Sequence, residues 1–274
     1  MSEAALSIQP VAGALGAEVS GIDLSQPLSP TRQKELHDAW MQHQVLFFRD
    51  QPITIEQHKD FARHFGDLHV HPVIQPRRDE GHPEVVVLLS GGRFKFVADK
   101  WHSDVTFQHR PPLGSVLRAL EVPEQGGDTM WSSMYAAYED LSGEMQRLLS
   151  GLRAVNDGGG FKRIASQEQA EALDQDNTAV HPVIRTHPVT GRKAVFVNST
   201  FTKRIEGMKP AESDALLRFL FDHVGQPQFT CRFRWRKDSI AMWDNRCTQH
   251  RVVADNLVDR RHMERITIVG DEPF

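Results

Sequence analysis

Cysteine is scarce: 274 residues hold two, Cys231 and Cys247, too few for a disulfide framework. A reducing compartment is implied, and the expected location is the cytoplasm. No lysine or arginine precedes Arg32, so the start of the chain has no basic segment of the kind that opens a targeting peptide. Long apolar runs are missing as well. Val85-Val86-Val87-Leu88-Leu89 is among the longest, far short of the roughly 20 residues that cross a bilayer as a helix. Neither sign of charge dominates, with 32 Lys and Arg against 36 Asp and Glu and a net charge of −4. That balance lacks the basic stripe of a nucleic-acid binder. Neither nucleic acid nor membrane is therefore expected as a partner. Internal repeats and Pro/Gly/Ser-rich linkers are absent too, which predicts one domain over residues 1–274. What the chain has in excess is histidine, 14 in all, and histidine permits metal binding or acid–base chemistry.

Helical signals are few. Ser29-Pro30 reads as an N-cap followed by proline at the first helical position, opening a helix to about His43. Thr54 with Gln57 resembles a capping box, with Phe61 and Phe65 on one face before Gly66. Two short helices are expected in 133–149, broken near Ser142-Gly143, and another from Pro210 to Val224. Elsewhere the pattern is short strands: 45–48, 84–89, 115–122, 183–186, 193–198, 229–235, 240–243 and 265–269. Many short strands without an intervening helix after each predict a mainly β fold with flanking helices, a jelly roll or sandwich. The polar stretch 157–178 is long for a loop in a compact domain, and reads equally as a functional lid or a surface segment without a role.

The sharpest local feature is Trp101-His102-Ser103-Asp104. On an extended chain residues two apart share a face, so His102 and Asp104 can chelate one ion. Alone the pair says little. The best third ligand lies far downstream, His250 in Trp243-Asp-Asn-Arg-Cys-Thr-Gln-His250. Two histidines and one carboxylate on one face of an octahedral metal form the facial triad of non-haem Fe(II) oxygenases, with positions left open for other ligands. Arg261 follows eleven residues later and Arg265 four beyond that, an even step on a strand. Two cations on one face would hold two anions. A zinc hydrolase could use the same three ligands, and a non-catalytic anion-binding jelly roll could use the arginines alone. Asp244-Asn245 reads as a turn bracing the strand of His250, and Trp101 and Trp243 as packing walls.

The stretch Trp101-His-Ser-Asp-Val-Thr-Phe107, with Pro111-Pro112, Gly126-Gly-Asp-Thr129 and residues 243–265, strongly resembles the taurine dioxygenase family. That family includes alkylsulfatases and aryloxyalkanoate (2,4-dichlorophenoxyacetate-type) dioxygenases. The resemblance runs from Gly16-Ala-Glu-Val-Ser-Gly-Ile-Asp-Leu24 to Gly270-Asp-Glu-Pro-Phe274. It implies a double-stranded β-helix using Fe(II), 2-oxoglutarate and O2 to hydroxylate a small organic anion, releasing succinate and CO2. By the same resemblance His102, Asp104 and His250 match the iron ligands, and Thr129 and Arg261 the residues that hold the distal carboxylate of 2-oxoglutarate. Arg265 and His71 match groups that bind the acidic head of the substrate, beside the Val105 backbone amide, and Phe201 an aromatic wall. A homo-oligomer, dimer or tetramer, is expected. Ile74 and Ala98 stand where taurine-specific members place side chains for the substrate's ammonium group, so the resemblance implies an anion with an apolar tail, a sulfonate, sulfate ester or aryloxyalkanoate.

Overall fold

The computed structural model describes residues 5–74, 77, 80–92, 98–160 and 177–274. Most of the stretch read as a lid, 161–176, lies outside them, but its ends meet where Gly158 N donates to Asn177 O at 2.9 Å.

Two sheets face each other. The larger has eight strands, in the order Ser7–Pro10, Ala17–Ser20, Val45–Phe48, Ile240–Asp244, Gly114–Glu121, Arg261–Ile268, with Leu68–His69 and Val85–Ser90 both paired to the last. Every pairing is antiparallel except Ala17–Ser20 with Val45–Phe48. Opposite lies a three-stranded sheet, Thr230–Phe233, Thr129–Ser133 and Thr248–Val252. Between the sheets Phe47, Leu117, Trp131, Phe233, Trp243 and Met263 form one buried cluster. Phe47 stacks on Phe233 with ring centroids 4.2 Å apart. This is the jelly roll the strand pattern predicts.

The helices cover its outside, and their caps follow the sequence signals. In Pro30–His43 the Ser29 hydroxyl accepts from Arg32 N at 3.2 Å. In Ile55–Arg63 Thr54 and Gln57 bond reciprocally, at 2.8 and 3.3 Å. Leu36, Trp40, Phe61 and Ala62 then bury against Ile240, Ile266 and Ile268 on the outer face of the large sheet. The helix Pro210–His223 places Leu217 and Leu220 in a separate core with Val183, Ala194 and Val197. Among the described residues no helix is long and apolar enough to cross a membrane.

Several strand boundaries differ from expectation, and three of the differences have a clear physical reason. The last strand begins at Arg261 rather than 265, because it is paired on both sides and its charged Glu264 and Arg265 are buried in ion pairs. The strand expected from 229 starts at Thr230, since Pro227–Phe229 forms a 3-10 turn. The strand expected over 193–198 ends at Val195, its partner Ile184–Thr186 being three residues long. Strands Thr129–Ser133 and Thr248–Val252 give no clear alternation and are missed by the pattern, although they carry Thr129 and His250.

Candidate active site

The site is built where the two sheets close on each other. His102 sits outside the regular strands but forms a bridge to the smaller sheet: His102 N donates to His250 O at 3.1 Å, and His250 N to His102 O at 2.8 Å. This ties the two imidazoles together, their ring centroids 4.2 Å apart. Asp104 is two residues further, so its carboxylate joins them. One ligating atom from each of His102, Asp104 and His250 lies within 4.8 Å of the others, and all three residues are buried.

Their protonation suits a metal. His102 Nδ1 lies 2.8 Å from Lys100 O, so the proton belongs on Nδ1 and Nε2 is left as a ligand atom. His250 Nε2 faces Asp104 Oδ1 at 4.0 Å, while its buried Nδ1 has no hydrogen-bond partner among the described residues. Burial pushes both imidazoles below the ordinary histidine range, His250 far below, so they are neutral, as a ligand must be. Burial alone would raise Asp104, but Arg265, then His250 and His102, overcome it and hold the carboxyl well below the usual range. This neutral–neutral–anionic set fits a divalent metal such as Fe(II). Trp243 packs beside His250 at 4.7 Å between ring centroids, a wall as expected.

Arg261 and Arg265 both point inward from Arg261–Ile268, as their spacing predicts, but they meet different partners. Arg265 Nη1 contacts Asp104 Oδ1, which sets this cation at the metal ligands. Its Nε has no hydrogen-bond partner among the described residues. Arg261 reaches the other sheet, with Nε donating to Gly127 O at 3.1 Å and Nη2 to Thr129 Oγ1 at 3.3 Å. Burial lowers the Arg261 guanidinium to about 10, only partly countered by Asp128, so a buried cation waits there with no carboxylate hydrogen-bonded to it among the described residues. The Gly126-Gly127 turn allows this approach. Both residues have positive φ, 80° and 68°, and a Cβ on Gly126 would lie 2.7 Å from Asp255 Oδ1.

The remaining predicted residues group near the histidines. Val73, Val105, Phe107 and Phe201 form a buried apolar cluster of their own, with Ile74 packed against it. Phe201 meets His102 edge-on at 6.4 Å. Val105, directly after Asp104, is left-handed with φ 53°, a conformation costing on the order of 1–3 kcal/mol in a β-branched residue. His71 Nδ1 accepts from Val73 N at 3.1 Å and Ile74 N at 2.9 Å, so its proton sits on Nε2. His69 is used structurally, between Thr267 Oγ1 at 3.1 Å and Gln108 Oε1 at 3.0 Å. Sequence reasoning gave no role to Ser115, whose hydroxyl donates to Asp104 Oδ2 at 2.8 Å, and no local signal marks it.

A second buried group of metal-binding type, His187, Asp244 and Cys247, is already saturated. Arg246 donates to both Asp244 oxygens at 2.9 and 2.6 Å, His187 Nε2 to Oδ2 at 3.0 Å, and burial pushes the Cys247 thiol well up. The Thr248 hydroxyl caps Asp244 O at 2.7 Å, so this cluster braces the turn into the His250 strand.

Residues 7–267 match the sequence profile of the "Taurine catabolism dioxygenase TauD, TfdA family". This chain belongs to that family. An alkylsulfatase of Acinetobacter baylyi is 37% identical over 97% of this chain and 86% of its own length. An alpha-ketoglutarate-dependent sulfate ester dioxygenase of Pseudomonas putida is 34% identical over 98% and 91%. The crystal structure of a taurine dioxygenase from Burkholderia xenovorans superposes with a TM-score of 0.85 at 36% identity, covering 98% of this chain and 90% of that one. As a TauD, TfdA family member with a His-Asp-His site, the protein is a 2-oxoglutarate-dependent dioxygenase using Fe(II) and O2.

Proposed function

We propose that this dioxygenase hydroxylates a small organic anion with an apolar tail, an alkyl or arylalkyl sulfonate or a sulfate ester, at the C–H carbon bearing the heteroatom group. The observation that carries the reading is the apolar cluster of Val73, Ile74, Val105, Phe107 and Phe201, tied to His71 through the Val73 and Ile74 amides and following Asp104, the partner of Arg265, in the chain. Burying an ammonium among these side chains would be costly without an acceptor. An anionic head, in contrast, finds a cation at Arg265 and an Nε2–H at His71.

In this reading His102, Asp104 and His250 hold iron. Iron with 2-oxoglutarate supplies the oxidising chemistry, in which O2 is consumed and succinate and CO2 are released. Arg261 and Thr129 hold the distal carboxylate of 2-oxoglutarate, a charge-assisted contact in a dry site. Arg265, His71 and the Val105 amide hold the acidic head, and the apolar wall keeps water from the target C–H while fixing its position. A hydroxyl placed on the carbon that bears the leaving group makes an unstable product. A sulfonate then loses sulfite and a sulfate ester loses sulfate. An aryloxyalkanoate, which would lose a phenol, is the second substrate class that the same apolar wall and anionic anchor fit. A zinc hydrolase built on the same three ligands is not favoured, since it gives the buried Arg261–Thr129 pair nothing to bind. Two buried free cysteines are compatible with a cytoplasmic location.

The test is anaerobic. Fe(II) and 2-oxoglutarate together should give a metal-to-ligand absorption band that neither gives alone, and aerobic succinate formation should then depend on an apolar sulfonate, sulfate ester or aryloxyalkanoate. A protein that shows no band and hydrolyses its substrate without oxygen uptake would refute the reading.

A further inference from the structure

Asp104 offers two oxygens, and they have different neighbours. Oδ1 faces the open side of the site, with His250 Nε2 at 4.0 Å and the mobile-ended Arg265 side chain in contact through Nη1, whereas Oδ2 receives the Ser115 hydroxyl, fixed on its strand, at 2.8 Å. Ser115 lies on Gly114–Glu121 directly opposite Trp243 on Ile240–Asp244, so the strand register delivers this contact. The same serine oxygen accepts from Asn245 Nδ2 at 3.0 Å, and Asn245 Oδ1 accepts from Trp243 Nε1 at 2.9 Å. Asn245 Oδ1 is also approached by Asp104 N at 3.4 Å.

The direction of every bond in this chain is fixed. An indole N–H can only donate, so the Asn245 atom facing Trp243 must be the carbonyl oxygen. The amide nitrogen then faces Ser115, which must accept. The one proton of the serine hydroxyl is left for Asp104 Oδ2. Trp243 and Ser115 are 0% exposed, Asn245 2% and Asp104 3%, so the chain lies away from bulk solvent.

We propose that Trp243, Asn245 and Ser115 form a one-way hydrogen-bond relay that makes Asp104 a single-oxygen metal ligand, with Ser115 and Asn245 as positioning residues. Binding through both oxygens would put the metal and the Ser115 proton on the same oxygen, and turning the carboxylate to separate them would strand a buried hydroxyl. Keeping the carboxylate to one oxygen preserves a coordination position that the cosubstrate and oxygen need. The relay also explains the Trp-x-Asn spacing of 243–245: the indole orients the amide that orients the hydroxyl. It rests on the assignment of His102, Asp104 and His250 as iron ligands.

The experiment compares the full-length protein with Ser115→Ala, Ser115→Thr and Asn245→Asp. Asn245→Asp puts an acceptor where a donor stood, so the single serine proton is contested. Three quantities are read: Fe(II) affinity under anaerobic titration, the position and intensity of the Fe(II)–2-oxoglutarate band, and the thermal midpoint of the metal-free protein. Ser115→Ala and Asn245→Asp should bind Fe(II) about 10–100-fold more weakly and change the band, and Ser115→Thr, which keeps the hydroxyl, should return both toward the parent. Parent-like affinity and band in Ser115→Ala and Asn245→Asp would overturn the relay. So would losses that in both variants only track the loss of folded protein. If the unaltered protein itself gives no band, the metal assignment fails instead of the relay.

Discussion

Thr129 Oγ1 lies 3.3 Å from Arg261 Nη2, across the gap between the two sheets. The same hydroxyl receives Trp235 Nε1 at 2.9 Å. Because an indole can only donate, the threonine oxygen is held with its acceptor side occupied, and its own proton is available to a further acceptor. A carboxylate placed there would meet a hydroxyl donor and a buried cation together. Arg261→Ala should therefore raise the apparent KM for 2-oxoglutarate at least tenfold, the effect of losing a charge-assisted bond of about 1.5–3 kcal/mol, while changing the KM of the prime substrate far less. Steady-state kinetics in both substrates decides this, and equal effects on both would remove the separate roles of Arg261 and Arg265.

His102→Ala should abolish iron-dependent succinate formation while the protein stays folded. His102 is near the surface of the buried triad at 8% exposure, and its backbone bridge to His250 does not need the imidazole. The measurement is turnover across an iron titration beside circular dichroism. Near-parent succinate production at modest iron would displace His102 from the ligand set.

How much of this was legible in the sequence depends on where each group gets its environment. The triad could be read because His102 and Asp104 are local and the chemistry demands a third ligand. The helices could be read because Ser29, Thr54 and Gln57 act on their own neighbours in the chain. The strand of His250 could not, because Thr248-Gln249-His250 is buried without being apolar. Gln249 is held there by a distant group, its Nε2 donating to Val197 O at 2.8 Å. Ser115 is hidden for the same reason: its role comes from a strand register that joins residues 115, 243 and 267. The start of the last strand at Arg261 was obscured by Glu264, a charge that reads as exposed and is fully buried.

That glutamate gives a stability prediction. Glu264 Oε2 pairs with Arg118 from the neighbouring strand, and Oε1 lies 2.6 Å from Arg77 Nη2. The residue faces outward between Arg261 and Arg265, so the ion cluster anchors the strand that carries both. Removing one partner of a buried pair leaves the other uncompensated, at about 3–5 kcal/mol. Glu264→Gln should lower stability by roughly that amount in urea unfolding, and a change within about 0.5 kcal/mol would show that the cluster is inessential.

Buried histidines lower stability in acid, and His58 and His71 are two of them. Burial, then Arg118, lowers His58 to about 3, and burial, then Arg265, lowers His71 to about 3. Each binds its proton more weakly folded than unfolded, where the ordinary value is 6.5. Between these values the unfolded chain holds more protons, so stability is complete above pH 6.5 and declines as pH falls toward 3. The slope approaches about 1.4 kcal/mol per pH unit for each histidine. His58→Gln, whose amide can still donate toward Val116 O, should flatten the dependence measured by urea midpoints from pH 7 to 4. An unchanged slope would mean that His58 does not carry it.

Substrate choice is the sharpest consequence of the apolar cluster. Phe201 is part of it, Ile74 packs against it, and Val105 lies between Asp104 and Phe107 in the chain. None of these side chains can accept a hydrogen bond from an ammonium group, so a zwitterion such as taurine would lose its hydration there without replacement. In competitive turnover, an alkyl or arylalkyl sulfonate or sulfate ester of similar length should be consumed well ahead of taurine, by at least tenfold in kcat/KM, since about 1.4 kcal/mol of uncompensated desolvation suffices. Ile74→Asn should narrow that ratio by adding an amide acceptor, raising kcat/KM for taurine and lowering it for the apolar anion. Preference for taurine by the unaltered protein would refute the apolar pocket, and rejection of every anion tested would remove Arg265 from the substrate site as well.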